Sequence, residues 1–165
     1  MKVAAQGSRI SDPVVINSIW YPAMLDVIAA YGAQLDGKIL VDISNPLNQT
    51  FDDLSTPPGT SAAEELARVA PAGTKVVKAF NTVFARNMST GKVAGEPLAL
   101  FVAGDDAAAK EAVMGLGRDI GFDSVDAGPL RAARYLEPMA LLTIFLAIQQ
   151  KMGPGIGYRL VREPT

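Results

Sequence analysis

Two residue types that carry much of enzyme chemistry, cysteine and histidine, are missing from all 165 residues. Their absence excludes a disulfide, a thiolate nucleophile, a Ser-His-Asp arrangement and a Cys/His zinc site. A carboxylate-only magnesium or calcium site would need an acidic cluster of suitable spacing, and the chain shows none. An excess of one charge is lacking too. Fifteen basic side chains stand against 17 acidic ones, so no strong field draws nucleic acid or an anionic membrane. The longest oily run, residues 139–148, is interrupted by Thr143 and falls short of the roughly 20 residues a bilayer span requires. The first nine residues, Met1 to Arg9, lack the apolar stretch of a signal peptide. The expectation is a cytoplasmic protein without a membrane partner.

What is present is the profile of an ordered domain, 49% hydrophobic and 19% charged. A length of 165 residues suits one domain over 1–165, with 131–165 as a C-terminal helical extension. Strand signals lie at residues 13–18 (PVVINS), 38–43 (KILVDI), 75–80 (KVVKAF), 98–103 (LALFVA) and 123–126 (DSVD). The first four are nearly continuous apolar runs, as expected for strands covered on both faces. Helical patterns intervene. One starts at Pro22 and stops at Gly32, one opens with the capping box Ser61-Ala62-Ala63-Glu64, and one follows Asp105 and ends at Gly121. Alternating strands and helices predict an α/β fold with a mainly parallel sheet of about five strands. Residues 132–151 read as helix, with Pro138 kinking it or starting a second one. That segment is apolar almost all round, which predicts burial or a subunit interface.

In open α/β sheets, ligands sit beyond the carboxyl ends of the strands. Two strands end there in a polar tip, Asn45-Pro46 and Asn81-Thr82. A side-chain amide at such a tip can donate to and accept from a ribose hydroxyl or a carboxamide, and Pro46 stiffens its loop. Asn-Pro is also an ordinary turn signal, and Asn81 or Thr82 could simply cap a following helix. The equivalent placement of Asn45 and Asn81 on neighbouring strands favours one shared crevice. Trp20-Tyr21-Pro22 follows the first strand, so Trp20 is either core or interface, or the wall of a site for a planar ring. Lys78, inside a strand, calls for a structural salt bridge or a snorkelling route to water. Gly153-Pro154-Gly155-Ile156-Gly157 follows a helix and precedes no clear one, which argues against a phosphate loop.

Several stretches occur in the order and spacing of a known family: VINSIWYP (15–22), GKILVDISNP (37–46), SAAEEL (61–66), VVKAFNT (76–82), VAGDD (102–106), GFDSVDAGPL (121–130) and LEP (136–138). They resemble the NADP oxidoreductases dependent on the deazaflavin coenzyme F-420. The reductase domains of six-transmembrane-segment metalloreductases are related to these. The resemblance implies a Rossmann-like, doubly wound domain that binds NADP(H). Hydride would pass directly to F-420, a flavin or another acceptor, a transfer that relies on stacking and orientation and needs no histidine or cysteine. It also implies that Trp20 and Pro22 border the nicotinamide, with Asn45, Pro46, Asn81 and Thr82 lining the same crevice.

One part of the family pattern is missing. Members begin with a strand and a Gly-x-Gly-x-x-Gly turn, whereas this chain starts about where their fourth strand begins, as a truncated form. Gly7-Ser8-Arg9 has no strand before it and does not supply the phosphate-reading turn. Residues 14–16, bare of those strands, would form a sticky edge. A homodimer covering the first strand or the C-terminal helix is therefore expected. The rival expectation is a non-catalytic dimeric ligand-binding or interaction protein that has lost the dinucleotide-binding half.

Overall fold

The computed structural model describes residues 3–5 and 7–163; Met1, Lys2 and Gln6 of the N-terminal stretch considered above lie outside them. The five strand signals all become strands of one sheet: β1 (Val14–Asn17), β2 (Ile39–Asp42), β3 (Lys75–Lys78), β6 (Ala99–Gly104) and β7 (Asp123–Gly128). Between β3 and β6 a two-stranded hairpin intervenes, β4 (Lys92–Val93) and β5 (Glu96–Pro97). The sheet order is β1-β2-β3-β6-β7. Alternate side chains of β2 enter opposite cores, as the two-residue period of a strand requires. Leu40 packs with Met24, Ile28 and Leu66 under helices α1 (Tyr21–Tyr31) and α2 (Ala62–Val69). Val41 packs with Leu100, Val102 and Val113 under α3 (Ala107–Ile120). Coverage of both faces is what the unbroken apolar runs anticipated.

Helix boundaries follow the local chemistry. Pro occupies the first turn of α1, where its missing N–H costs nothing. The Ser61 hydroxyl accepts from the Glu64 amide at 3.3 Å and donates to the Glu64 carboxylate at 2.8 Å, closing the capping box on α2. Asp106 caps α3, which starts just after Asp105 as expected, and Gly121 closes it at φ 115°. Pro138 does not start a second helix, one of the two outcomes expected, but sits inside a single one. α4 runs unbroken over Ala133–Ile148.

Orientation is where the sequence expectation needs refinement. β1-β2, β2-β3 and β6-β7 pair in parallel, but β3 and β6 are antiparallel through Val77↔Gly104 and Lys78↔Ala103. The cause is the connection. Parallel neighbours need a crossover, usually a helix, and residues 79–98 contain only a short 3-10 turn, Ala85–Asn87, and the β4–β5 hairpin. The expected parallel entry of the fourth run is thus replaced by a reversal. Phe80, at φ 63°, swings the chain out of the sheet where β6 arrives.

Two apolar surfaces stay open. β1 is an edge strand, and its Ile16 is 57% exposed. α4 buries Leu136, Ala140, Thr143 and Ala147 but leaves Tyr135, Leu142, Phe145 and Ile148 exposed, so half of this oily helix faces outward. Among the described residues no helix is long and apolar enough to cross a membrane. Among them, too, no group of three or more acidic side chains could hold a metal ion.

Candidate functional site

Phe80 puts Asn81 and Thr82 directly beside the tip of β2. Asn45 Nδ2 donates to the Asn81 carbonyl at 3.0 Å, and Asn81 Nδ2 donates to Asn45 Oδ1 at 3.1 Å. Asn81 Nδ2 also donates to the Leu136 carbonyl of α4 at 2.9 Å. Asn45, Asn81 and Thr82 line one cavity of about 120 Å³, whose far wall is Ala140, Thr143 and Ile144 of α4. Asn81 is buried, yet its Oδ1 accepts no hydrogen bond. Asn45 spends one amide hydrogen on Asn81 and keeps the other. An unpaired acceptor, closed off from solvent, thus sits on a side chain that lines the cavity, next to Asn45. No titratable side chain lines it.

Asn45 also lines a second hollow of about 250 Å³, with Ile19, Trp20, Ile43 and Leu47. Trp20 is 49% exposed and sets its edge against Phe51, with ring centroids 5.8 Å apart and planes at 72°. Asn45 is thus the partition between the two spaces, with Trp20 on one side and Asn81 and Thr82 on the other. Pro22 is exposed in the first turn of α1 and is not among the residues lining either hollow. Pro46 is buried, and its carbonyl accepts from the Ser55 amide and hydroxyl at 2.7 and 2.9 Å, which fixes the loop from behind. No regular α-helix follows Asn81-Thr82, and the nearby 3-10 turn Ala85–Asn87 has Phe84 at its cap position, so neither residue caps it.

Beneath the tips lies a cluster that sequence reasoning reached only in part. Lys78 does form a structural salt bridge, with no outlet to water. Its ammonium meets Asp42 Oδ2 at 2.8 Å and Glu137 Oε1 at 3.0 Å and donates to the Ser44 carbonyl at 2.6 Å. Lys78 and Asp42 are fully buried, and Glu137 is 1% exposed. Burial works against the Lys78 charge, but the two carboxylates outweigh it and hold the ammonium pKa above its ordinary value. Two carboxylates share this one cation. Burial accordingly pushes the Glu137 carboxyl up, against the pull of Lys78 and the Ala62 amide. Glu137 also accepts from the amides of Ala62 and Ala63 at 3.0 and 3.3 Å, at the positive end of α2. Asp42 and Glu137 could have been suspected as the only charged residues within an otherwise apolar strand end and an apolar helix stretch.

The two glycine-rich segments are engaged within the protein. Gly7 donates its amide to the Tyr31 hydroxyl at the far end of α1, away from the strand tips. The carbonyls of Pro154 and Ile156 both accept from Asn87 Nδ2 at 3.1 Å, so residues 153–157 are a structural strap.

No family model matches the chain. Among curated proteins it is 36% identical over 140 residues to the metalloreductase STEAP3 of Rattus norvegicus, a match that covers 85% of this chain but 28% of that protein. It is 34% identical over 154 residues to the F420-dependent NADP reductase of Methanocaldococcus jannaschii, covering 89% of this chain and 67% of that one. A crystal structure of a putative F420-dependent NADP reductase from an Arthrobacter species superposes with a TM-score of 0.83 at 32% identity, over 91% of this chain and 69% of its own. A hypothetical protein from Sinorhizobium meliloti follows at a TM-score of 0.65 and 30% identity, over 73% and 58%. With one relative matched across two thirds of its length and a solved one superposing on nine tenths of this chain, the protein belongs to the family of F420-dependent NADP reductases.

Proposed function

We propose that this chain forms the ring-binding part of an NADP(H)-dependent oxidoreductase, with the nicotinamide carboxamide held between Asn45 and Asn81. The observation that carries this reading is that Asn81, whose buried Oδ1 has no partner, lines one cavity together with the Asn45 that holds it. A carboxamide presents the complementary pair, one donor and one acceptor on a flat head group. Leaving a buried acceptor unpaired costs about 1–3 kcal/mol, which a fitting ligand would recover. Trp20, Asn45, Asn81 and Thr82 are the residues that would hold the head group. When bound, the reduced nicotinamide supplies the hydride.

What the chain itself contributes is orientation and shielding. Asn81 is fixed by Asn45 and by the Leu136 carbonyl, so its free oxygen points from a rigid mount. α4 closes the cavity from one side through Ala140, Thr143 and Ile144 and keeps water from the ring. Trp20, half-exposed beside the second hollow, suits contact with a second planar ring, which fits a deazaflavin or flavin acceptor. The residues present fit the ring end of the cofactor. Its diphosphate asks for a glycine-rich turn at a strand-to-helix junction. Here the β1–α1 turn is Ser18-Ile19-Trp20, without glycine. The rival reading is a non-catalytic ligand-binding relative.

Titration with NADPH while following the fluorescence of Trp20, the single tryptophan, tests the proposal. Saturable quenching that Asn81→Ala weakens is the expected result. No saturable change up to millimolar NADPH would overturn it for this polypeptide. Hydride transfer from NADPH to F-420 or a flavin then separates the enzyme from its non-catalytic rival. A second copy of the chain completes the proposal. It would pack on the α4 stripe Tyr135, Pro138, Leu142 and Phe145, whose alternating spacing of three and four, without charge, suits helix-on-helix pairing.

A further inference from the structure

We propose that Asp42, Lys78 and Glu137 are positioning residues that set the geometry of Asn45 and Asn81, an inference that rests on the ring-binding reading above. Three buried ionic groups are a poor way to hold a fold together. Taking such charges out of water costs several kcal/mol each, and apolar replacements of equal volume are often as stable. Their placement suggests what they do instead. Asp42 Oδ1 accepts from the Ser44 amide at 3.0 Å while Lys78 donates to the Ser44 carbonyl at 2.6 Å. Both polar groups of the residue before Asn45 are therefore gripped by the cluster.

The second asparagine is reached from the other side. Glu137 is anchored by Lys78 and by the two amides of α2, and it is the immediate neighbour of Leu136. The Leu136 carbonyl is the atom that accepts from Asn81. Lys78 thus ties the backbone behind Asn45 to the stretch of α4 that aims Asn81. Asn17 of β1 joins the set by donating to Asp42 Oδ1 at 3.1 Å. No member has access to the cavity or to solvent, so none can touch a ligand or exchange a proton with one. Their influence passes through Ser44 and Leu136. Two asparagines on separate loops need a rigid common base if their donor and acceptor are to meet one flat group, and charge-assisted hydrogen bonds supply it.

Two variants separate this role from a purely structural one. Glu137→Gln keeps the shape of the side chain and leaves Asp42 and Lys78 as a balanced pair. The double variant Asp42→Asn with Lys78→Met removes one charge of each sign and releases the Ser44 carbonyl. The side-chain amide resonances of Asn45 and Asn81 are read in ligand-free protein by nitrogen-15 NMR, and NADPH binding by Trp20 fluorescence. The expected result is a cooperative thermal transition, shifted or broadened amide resonances, and NADPH affinity weakened about ten-fold, the effect of losing one charged hydrogen bond's worth of alignment. Unchanged amide resonances and affinity in folded Glu137→Gln would overturn the positioning role, whether or not the double variant folds. Asn81→Ala is the control on the underlying reading. If it binds NADPH as tightly as the parent, the ring-binding assignment fails. If it binds weakly while Glu137→Gln does not, only the positioning role fails.

Discussion

Asn81 and Asn45 hold each other through a reciprocal pair of hydrogen bonds, 3.1 Å from amide to amide oxygen and 3.0 Å back to the backbone carbonyl. The exchange works only while Asn81 carries an NH₂ group, because both of its partners there, Asn45 Oδ1 and the Leu136 carbonyl, are acceptors. Asn81→Asp would bring a third set of acceptor oxygens against them. The expected cost is about 1–3 kcal/mol or more, since buried acceptors are left facing one another. Urea denaturation of the ligand-free protein measures it, and Asn45→Asp, at a half-buried site, should cost less.

Glycine positions give a sharper contrast. Gly91 has φ 64°, and a Cβ there would lie 2.7 Å from the Phe122 amide nitrogen and 2.8 Å from the Gly121 carbonyl carbon. Backbone on both sides cannot yield as a flexible side chain could. Gly95, in the β4–β5 turn at φ 84°, has nothing within 4 Å of the same position. Gly95→Ala should therefore cost only the left-handed backbone penalty, about 1–2 kcal/mol. Gly91→Ala should cost clearly more, measured as a larger fall in melting temperature.

Acid stability should depend on one ion pair that joins α2 to α4. Arg134 donates to Glu64 Oε2 and Oε1 at 2.8 and 2.7 Å, and its hydrogen bonds hold the Glu64 carboxyl below its ordinary value of 4.5. The folded protein therefore gives up this proton at a lower pH than the unfolded chain. Its contribution is complete above the ordinary value and is lost as pH falls through the folded one. Arg134→Gln should lower the melting temperature near neutrality, and its effect should shrink as pH falls below the ordinary carboxylate value and through the lower folded one. Calorimetry across that range reads the convergence.

Self-association is checked with Leu142→Glu combined with Phe145→Glu. Both side chains are exposed on α4 and neither lines the cavity, so folding should be unaffected. The parent is expected to sediment as a dimer and this variant as a monomer. A parent that stays monomeric at high concentration would remove the second copy from the proposal.

Much of the architecture could be read from local signals. The strands announced themselves as short apolar runs, and Ser61, Gly32 and Gly121 marked helix ends through chemistry confined to a few residues. The shared crevice of Asn45 and Asn81 was legible because both sit at strand tips. Direction was harder. The reversal of β6 depends on the lack of a helix across residues 79–98, a negative signal that the apolar run at 98–103 does not carry. The partners of Lys78 were hidden for another reason. Asp42 and Glu137 come from a different strand and from α4, and only the fold brings their charges together around it. Which side of α4 would be covered was likewise undecided by a sequence oily all round.

The reversal between β3 and β6 gives the molecule two unlike poles. The turns at residues 105–106 and 128–130 open onto the end opposite Asn45 and Asn81, around a separate hollow that includes Thr74 and Lys75. The strands set that distal end apart from the asparagine tips, although residues 128–130 lead on into α4, whose Leu136 carbonyl holds Asn81. A reporter dye at residues 105–106 would label the protein at the pole remote from the end proposed for chemistry.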